Sequence, residues 1–126
     1  MVHRWGLVMK IYSSETHGFM IFEVKEVIHL NSNISDLEQM AENAAKAGYK
    51  HIAVTFPPQS ELSSLSIASL VKCGFTLQDM QGQFAIIAPS KQVYELIRDL
   101  ELSTVIATVR NREELSTIKN GTVNGG

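Results

Sequence analysis

The hydroxyl-rich segment at residues 62–68 is the part of the sequence whose residue types and spacing most clearly suggest chemistry. It reads Leu-Ser-Ser-Leu-Ser-Ile-Ala and follows an apolar run and a loop, at the predicted start of a helix. A hydroxyl at a helix N-terminus lies beside free backbone amides and the positive end of the helix dipole, both of which favour negative charge. Phosphorylation there would add about −1.5 to −2 charge and could change partner binding without refolding the domain. Equally, Ser63 or Ser64 can serve only as the N-cap, a role worth about 1 kcal/mol.

Other side chains that could carry chemistry are scattered along the chain. His3, His17, His29 and His51 include no pair at i, i+4, and the single Cys73 excludes an internal disulfide and a multi-cysteine zinc site. Neither a G-x-S-x-G elbow nor a glycine-rich phosphate loop occurs. The sequence therefore predicts no catalytic residue, no metal site and no cofactor.

The elements that must position the serine segment follow from hydrophobic periodicity. We predict strands over residues 9–12, 19–24, 51–56, 84–88 and 105–109, and helices over 35–47, 63–74, 90–100 and 111–118. The first two strands are close enough to form an antiparallel hairpin, whereas the later strands, separated by helices, should pair in parallel. The predicted fold class is α/β, a small mixed β-sheet packed by about four helices.

Helix-end signals give further expectations. Ser35 and Glu38 have the spacing of a capping box. Glycines at 48 and 74 are each predicted to end a helix. Ser90 and Asn111 stand at the expected N-caps of the third and fourth helices. We expect one face of the third helix to pack inward: Val93, Leu96, Ile97 and Leu100.

Composition excludes several classes of protein. The 126 residues suit one domain with its own core. With 11 Lys+Arg against 13 Asp+Glu, the net charge of −2 does not suit a nucleic-acid binder or an anionic-membrane binder. No apolar stretch approaches the roughly 20 residues of a membrane span, and the N-terminal apolar run is too short for a signal peptide. We expect a cytoplasmic domain over residues 9–118, with a flexible extension at 1–8 and a flexible tail at 119–126.

Taken in order, these segments resemble the STAS domain of anti-sigma factor antagonists. Residues 62–67 are similar to the family's L-S-S-A-G-[IL] motif, which follows its third strand. Residues 82–87 look like its G-x-L-x-L-V strand, residues 93–106 resemble the next helix and strand, and Glu-Glu-Leu at 113–115 resembles the closing E-E-A helix. The resemblance covers nearly all of residues 9–118. It implies a small mixed sheet packed by several helices.

The resemblance also implies a function, which is a switch between partners in transcription regulation. In the family, the unphosphorylated domain binds an anti-sigma factor that is also a GHKL-type serine kinase, and sigma factor is released. The kinase then phosphorylates a serine at the start of the motif helix, and the complex dissociates. A gapless alignment places this phosphoacceptor at Ser64, and a one-residue loop difference leaves Ser63 as the alternative. The expected binding surface centres on the helix start at 63–66 and the preceding loop at 57–62. The resemblance implies this partner-binding set, with a homodimer left open: His29, Leu62, Ser63, Ser64, Leu65 and Ser66.

Departures from the family pattern support a second hypothesis, a STAS scaffold or interaction module in a larger assembly that is not phosphorylated. Ser63 stands where an acidic residue often precedes the phosphoacceptor, and Ser66 stands at a glycine position. Val-Ile-His at 27–29 replaces the family's E-L-D. A third hypothesis is an acetyltransferase, since residues 68–75 resemble the A-x-x-L-Y-x-K-x-G-F segment of the GNAT family. The [QR]-x-x-G-x-[GA] loop that would hold coenzyme A is absent upstream.

Overall fold

The structure, a computed structural model, describes residues 9–121 and the side chains of residues 9–118. Its strands are β1 (Ile11–Thr16), β2 (Phe19–Val24), β3 (His51–Thr55), β4 (Gln83–Ile87) and β5 (Ala107–Val109). Its helices are α1 (Ser35–Lys46), α2 (Ser64–Asp79), α3 (Lys91–Asp99) and α4 (Leu115–Gly121), and a 3-10 turn at Arg112–Glu114 precedes α4. The extension expected at 1–8 and residues 122–126 of the expected tail lie outside the described residues.

The five strands form one sheet in the order β1-β2-β3-β4-β5. β1 pairs antiparallel with β2, and every later pair is parallel. The predicted mixed α/β sheet, with its N-terminal hairpin, is therefore confirmed. Because β2 to β5 run in the same direction, their carboxyl ends lie together at one edge of the sheet, which we call the carboxyl edge. The loops that lead from the sheet into α1, α2 and α3 all start there.

The hairpin turn is formed by His17 and Gly18, which have φ values of 54° and 81°. Positive φ at both central residues is the geometry of a type I′ turn, whose twist matches that of the flanking strands. β1 begins at Ile11 and continues to Thr16, beyond the predicted strand. Residues 13–16 were missed because this edge strand is mostly exposed and carries no alternating apolar pattern.

The core has two parts, one on each face of the sheet. Helices α1, α2 and α3 cover one face, as helices that connect neighbouring parallel strands must when all crossovers have the same hand. They contribute the following buried side chains: Leu37, Ala41, Ala45, Leu70, Cys73, Leu77, Val93 and Ile97. On the other face, α4 packs Leu115 against Phe19, Ile21 and Ala53.

The predicted capping box at the start of α1 is wrong. Ile34 occupies the N-cap position and gives no side-chain cap, and Ser35 is already helical. The Ser35 N–H donates instead to Asn33 Oδ1 at 2.8 Å. Burial explains why Ile34 and not Ser35 occupies the N-cap position, since Ile34 is 2% exposed and packs into the core at the start of α1.

The predicted end of α2 at Gly74 is also wrong, because the helix continues to Asp79. Gly74 lies where α2 passes closest to the segment before β5. A Cβ at this position would lie 2.4 Å from Val105 Cγ1 and 2.7 Å from the Val105 carbonyl oxygen. The glycine is therefore required by close packing and does not end the helix.

Two further predictions near the end of the chain need correction. β5 starts at Ala107, since the N–H groups of Val105 and Ile106 both donate to the Leu102 carbonyl at 2.9 Å and close a turn. In α3, Leu96 is 39% exposed and Leu100 is 47% exposed, so neither packs inward.

The helix ends predicted at Ser90 and Gly48 are confirmed, whereas Asn111 caps the 3-10 turn that leads into α4 and not α4 itself. Ser90 Oγ accepts from the Val93 N–H at 3.2 Å, and Asn111 Oδ1 accepts from the Glu114 N–H at 3.0 Å. Gly48 follows α1 with φ +108°, a conformation that favours glycine.

Candidate functional site

Ser63 is the N-cap of α2. Its φ of −78° and ψ of 170° are extended, and its Oγ accepts from the Ser66 N–H at 3.1 Å. The Ser63 hydroxyl also lies 3.3 Å from Ser66 Oγ and donates to it. Both hydroxyls are thus used to fix the first turn of the helix, and Ser66 is only 2% exposed.

Ser64, the first residue of α2, is placed differently. Its side chain is exposed, and its hydroxyl makes no hydrogen bond with any described residue. The first turn of α2 carries no acidic residue, so the positive end of the helix dipole is not neutralised locally. A negative group on the Ser64 hydroxyl would therefore lie in a favourable field, close to backbone amides that the helix leaves free.

The two leucines beside these serines point in opposite directions. Leu62 is 8% exposed and belongs to the core, whereas Leu65 is 78% exposed. Of the residues expected to bind a partner, Ser64 and Leu65 are thus exposed, Ser63 is half-buried, and Leu62 and Ser66 are buried. The two buried residues hold the start of α2 in place.

The loop after β2, which carries His29, lies against the loop that leads into α2. The Ile28 N–H donates to Ser60 Oγ at 3.0 Å, and the Glu61 N–H donates to the Ile28 carbonyl at 2.8 Å. His29 itself is exposed. The structure therefore brings His29 and the start of α2, which are far apart in sequence, to the same part of the carboxyl edge.

A shallow groove of about 360 Å³ runs between the β2–α1 loop and the first turns of α2. Asn31 to Ile34 line one side, and Leu65, Ser66 and Ser69 line the other. Leu30, on the same loop, is 59% exposed. Together with His29, Ser64 and Leu65, Leu30 forms an exposed surface with apolar and polar parts, which we call the α2-start surface.

Two residues of the loop at 57–62, which was expected to join the binding surface, connect it to the β2–α1 loop. Ser60 is 5% exposed, and its hydroxyl joins the two loops. Glu61 is exposed, and its backbone N–H donates to the Ile28 carbonyl at 2.8 Å. Leu30 was missed in the sequence, because it belongs to no recognisable motif and only the pairing of the two loops reveals its position.

Cys73 lies on the inner side of α2 and is 3% exposed. Burial, followed by the nearby carboxylates of Glu38 and Glu42, raises the pKa of its thiol to about 12. The thiol is therefore protonated at neutral pH, and a nucleophilic thiolate does not form. Beside it, Lys72 contacts Glu38 at 3.0 Å and links α2 to α1. The hydrogen bond to that carboxylate raises the pKa of Lys72.

The histidines within residues 9–121 are spread over the fold. His17 forms the hairpin turn, His29 lies on the α2-start surface, and the His51 ring meets Phe19 edge-on at 5.3 Å. Among the described residues, no three His, Cys, Asp or Glu side chains are arranged to hold a metal ion. His3 lies outside this range.

The mixed five-stranded sheet with three helices on one face is a fold found among proteins named as anti-sigma factor antagonists. The chain is similar to the crystal structure of a Thermotoga maritima protein, TM1081, that is provisionally named an anti-sigma factor antagonist. The TM-score is 0.68 at 15% sequence identity, over 82% of this chain and 89% of that chain. An NMR structure of the protein TM1081 gives a TM-score of 0.65 at 13% identity, over 96% of this chain and 97% of that chain. The fold expected from the STAS resemblance is thereby confirmed.

Sequence comparison gives no further assignment. No family model matches the chain, and no curated protein matches it. Within residues 9–121, no helix combines the length and apolar character needed to cross a membrane.

Proposed function

We propose that the chain is a regulatory interaction domain, an anti-sigma factor antagonist, that binds an anti-sigma factor through the α2-start surface. The fold supports this proposal, since the similar T. maritima protein carries that name. The observation that carries it is the exposed Ser64 at the first position of α2, in the segment that resembles the family's phosphorylation motif. The proposed role is regulatory and not enzymatic, and the proposed location of the protein is the cytoplasm.

The proposed switch is phosphorylation of Ser64 by the partner, which would be a serine kinase of the GHKL type. A phosphate on Ser64 adds charge and bulk at the centre of the α2-start surface, while the free amides of the helix stabilise it. Ser63 is the weaker candidate, because its hydroxyl already caps α2 and its modification would disturb that cap.

The exposure of each side chain divides the proposed binding residues into those that would touch the partner and those that would act indirectly. His29, Leu30, Ser64 and Leu65 would touch the partner, since all are exposed. The leucine side chains would lose water on binding, which favours association. Leu62 and Ser66 would act indirectly by positioning the first turn. A homodimer stays a prediction.

A second candidate function is an interaction module of the same fold that is not phosphorylated. The residue at position 29 favours it, because an exposed imidazole stands where the family has a carboxylate close to the phosphorylation site. The structure does not favour an acetyltransferase, since residues 68–75 lie inside α2 and Gly74 serves helix packing there.

Binding of a kinase-type anti-sigma factor by three variants tests the proposal. Ser64→Glu should weaken the affinity by at least about tenfold, or about 1.4 kcal/mol, because it places a charge within the contact. Ser64→Ala should bind like the wild type. Ser103→Glu is the matched control, because Ser103 is exposed and precedes β5, at the opposite edge of the sheet. Equal affinities of Ser64→Glu and Ser103→Glu in titration calorimetry would contradict the proposal.

A further inference from the structure

A second groove lies at the carboxyl edge, between the start of α3 and the end of β5. Its volume is about 360 Å³, and Ala88, Pro89 and Tyr94 provide its apolar lining. Its charged lining consists of Lys91, Glu95, Arg98 and Arg110. We call it the α3 groove. No part of the α2-start surface contributes to it.

The charge of the α3 groove is opposite to that of the protein. Three cationic side chains and one carboxylate line the groove, although the chain as a whole has a net charge of −2. Two further carboxylates, Asp99 and Glu114, contact Arg98 and Arg110 from outside the lining. The first turn of α3 carries no acidic residue, so the helix dipole adds to the positive potential. The positive charge of the lining itself favours an anionic ligand.

The guanidinium groups of the groove have carboxylate partners only at the long end of ion-pair distances. Arg110 stacks over the Tyr94 ring, with its Cζ 4.5 Å from the ring centroid. Its nearest carboxylate contact is Glu114 at 3.7 Å, and that of Arg98 is Asp99 at 3.8 Å. Such long, exposed ion pairs are weak, so both guanidiniums can bind another anion.

We propose that the α3 groove binds a small organic phosphate monoester. Guanidinium groups bind phosphate and carboxylate alike in a bidentate geometry. A phosphate monoester, however, carries about −1.5 to −2 charge and three acceptor oxygens, so it can contact several of the three cations at once, which favours phosphate over a carboxylate. The apolar lining of Pro89 and Tyr94 provides a surface for the organic part of the ligand, and the groove volume lies within the range of small-molecule sites. This inference goes beyond the proposed partner switch and does not rest on it.

Amide chemical shifts of the full ¹⁵N-labelled chain test the inference, with phenyl phosphate, inorganic phosphate and benzoate as probes. Phenyl phosphate should give saturable shifts at Lys91 and Gln92, the first two residues of α3. Its dissociation constant should be lower than that of inorganic phosphate, which lacks the ring, and lower than that of benzoate, which lacks the phosphate. Arg110→Gln should raise the dissociation constant for phenyl phosphate by about tenfold, as expected for loss of a charge-assisted contact.

Arg112→Gln is the matched control, because it removes the same charge two residues away. Arg112 contacts Glu23 at 3.4 Å and does not line the α3 groove. The dissociation constant of Arg112→Gln for phenyl phosphate should equal that of the wild type. Shifts that stay linear at millimolar phenyl phosphate would overturn the inference, as would equal losses in the two arginine variants. Benzoate binding as tight as that of phenyl phosphate would also overturn it.

Discussion

Adjacent serines at the start of α2 have different roles, and the difference follows from where each hydroxyl points. Ser63 accepts a backbone hydrogen bond and donates to Ser66, so it stabilises the helix. Ser64 is exposed and makes no such contact with the described residues. Substitution of one serine at a time can therefore separate the structural role of Ser63 from the proposed functional role of Ser64.

We expect Ser63→Ala to lower the free energy of unfolding by about 1 kcal/mol, because the cap of α2 is lost. Ser64→Ala should change it by less than about 0.5 kcal/mol, as for other exposed positions without special contacts. Urea unfolding of both variants and the wild type measures the difference. An equal effect of the two substitutions would contradict the assignment of the cap to Ser63.

Burial of Cys73 predicts a dependence of stability on pH. Between pH 9.0, the ordinary thiol pKa, and about 12, the unfolded chain loses the thiol proton while the folded chain keeps it. The folded state then binds more protons, so the free energy of unfolding falls as pH rises, by at most about 1.4 kcal/mol per pH unit. Below pH 9.0 the thiol is protonated in both the folded and the unfolded chain, so it causes no loss of stability there.

Comparison with Cys73→Ala separates this effect from the titration of other groups. Urea unfolding is measured for both proteins at about pH 8 and about pH 10. The wild type should lose more stability between the two pH values than Cys73→Ala loses. Parallel losses would show that the thiol ionises normally in the folded chain.

At the scale of the elements, α2 is placed by its contact with the segment before β5. Gly74 permits this contact, because a Cβ there would meet both the side chain and the backbone of Val105. The Gln78 side chain adds a hydrogen bond to the Thr104 carbonyl at 3.0 Å, one turn further along the helix. The packing of α2 therefore fixes the direction in which its N-terminus presents Ser64.

Gly74→Ala tests this packing. Alanine would stabilise an unconstrained helix by about 1 kcal/mol relative to glycine. Here we expect the opposite, a loss of about 1–3 kcal/mol in the free energy of unfolding, because the backbone of Val105 must move. Thermal and urea unfolding give the sign directly. A stabilised variant would mean that α2 does not approach Val105 this closely.

The elements differ in how well the sequence predicts them, and the reason is physical. The bounds of β2, β3 and β4 were predicted closely because these strands are mostly buried, and their runs of apolar residues indicate that burial directly. Gly74, Leu96 and Leu100 were misinterpreted because their roles depend on neighbouring elements. A glycine in a close helix contact looks like a helix end, and an exposed leucine looks like a core residue. Neither can be distinguished before the packing is known.

At the scale of the whole molecule, the parallel sheet brings the candidate site together. β2 and β3 both end at the carboxyl edge, so His29 and Ser64 share a surface although the sequence separates them. The serine motif was found from the sequence because its residues are contiguous. Leu30 was missed because its relevance arises only from the hydrogen bonds between Ile28 and the loop before α2.

The α3 groove lies at the same edge, after β4 and β5. In open α/β sheets, ligands bind outside the carboxyl ends of the parallel strands, at the point where the strand order reverses. The order β1-β2-β3-β4-β5 contains no such reversal, so the two proposed sites agree with this rule only in lying at the carboxyl edge. The rule itself does not identify either ligand, which depends on the side chains at each position.

The most direct test of the proposed switch uses the protein as bait in extract of its own host, with and without ATP, and mass spectrometry as the readout. A kinase-type anti-sigma factor should be recovered without ATP and lost with ATP, and phosphate should appear on Ser64. The Ser64→Ala bait should keep the partner under both conditions. A complex that is insensitive to ATP, with Ser63 and Ser64 unmodified, would contradict the switch and leave a constitutive scaffold.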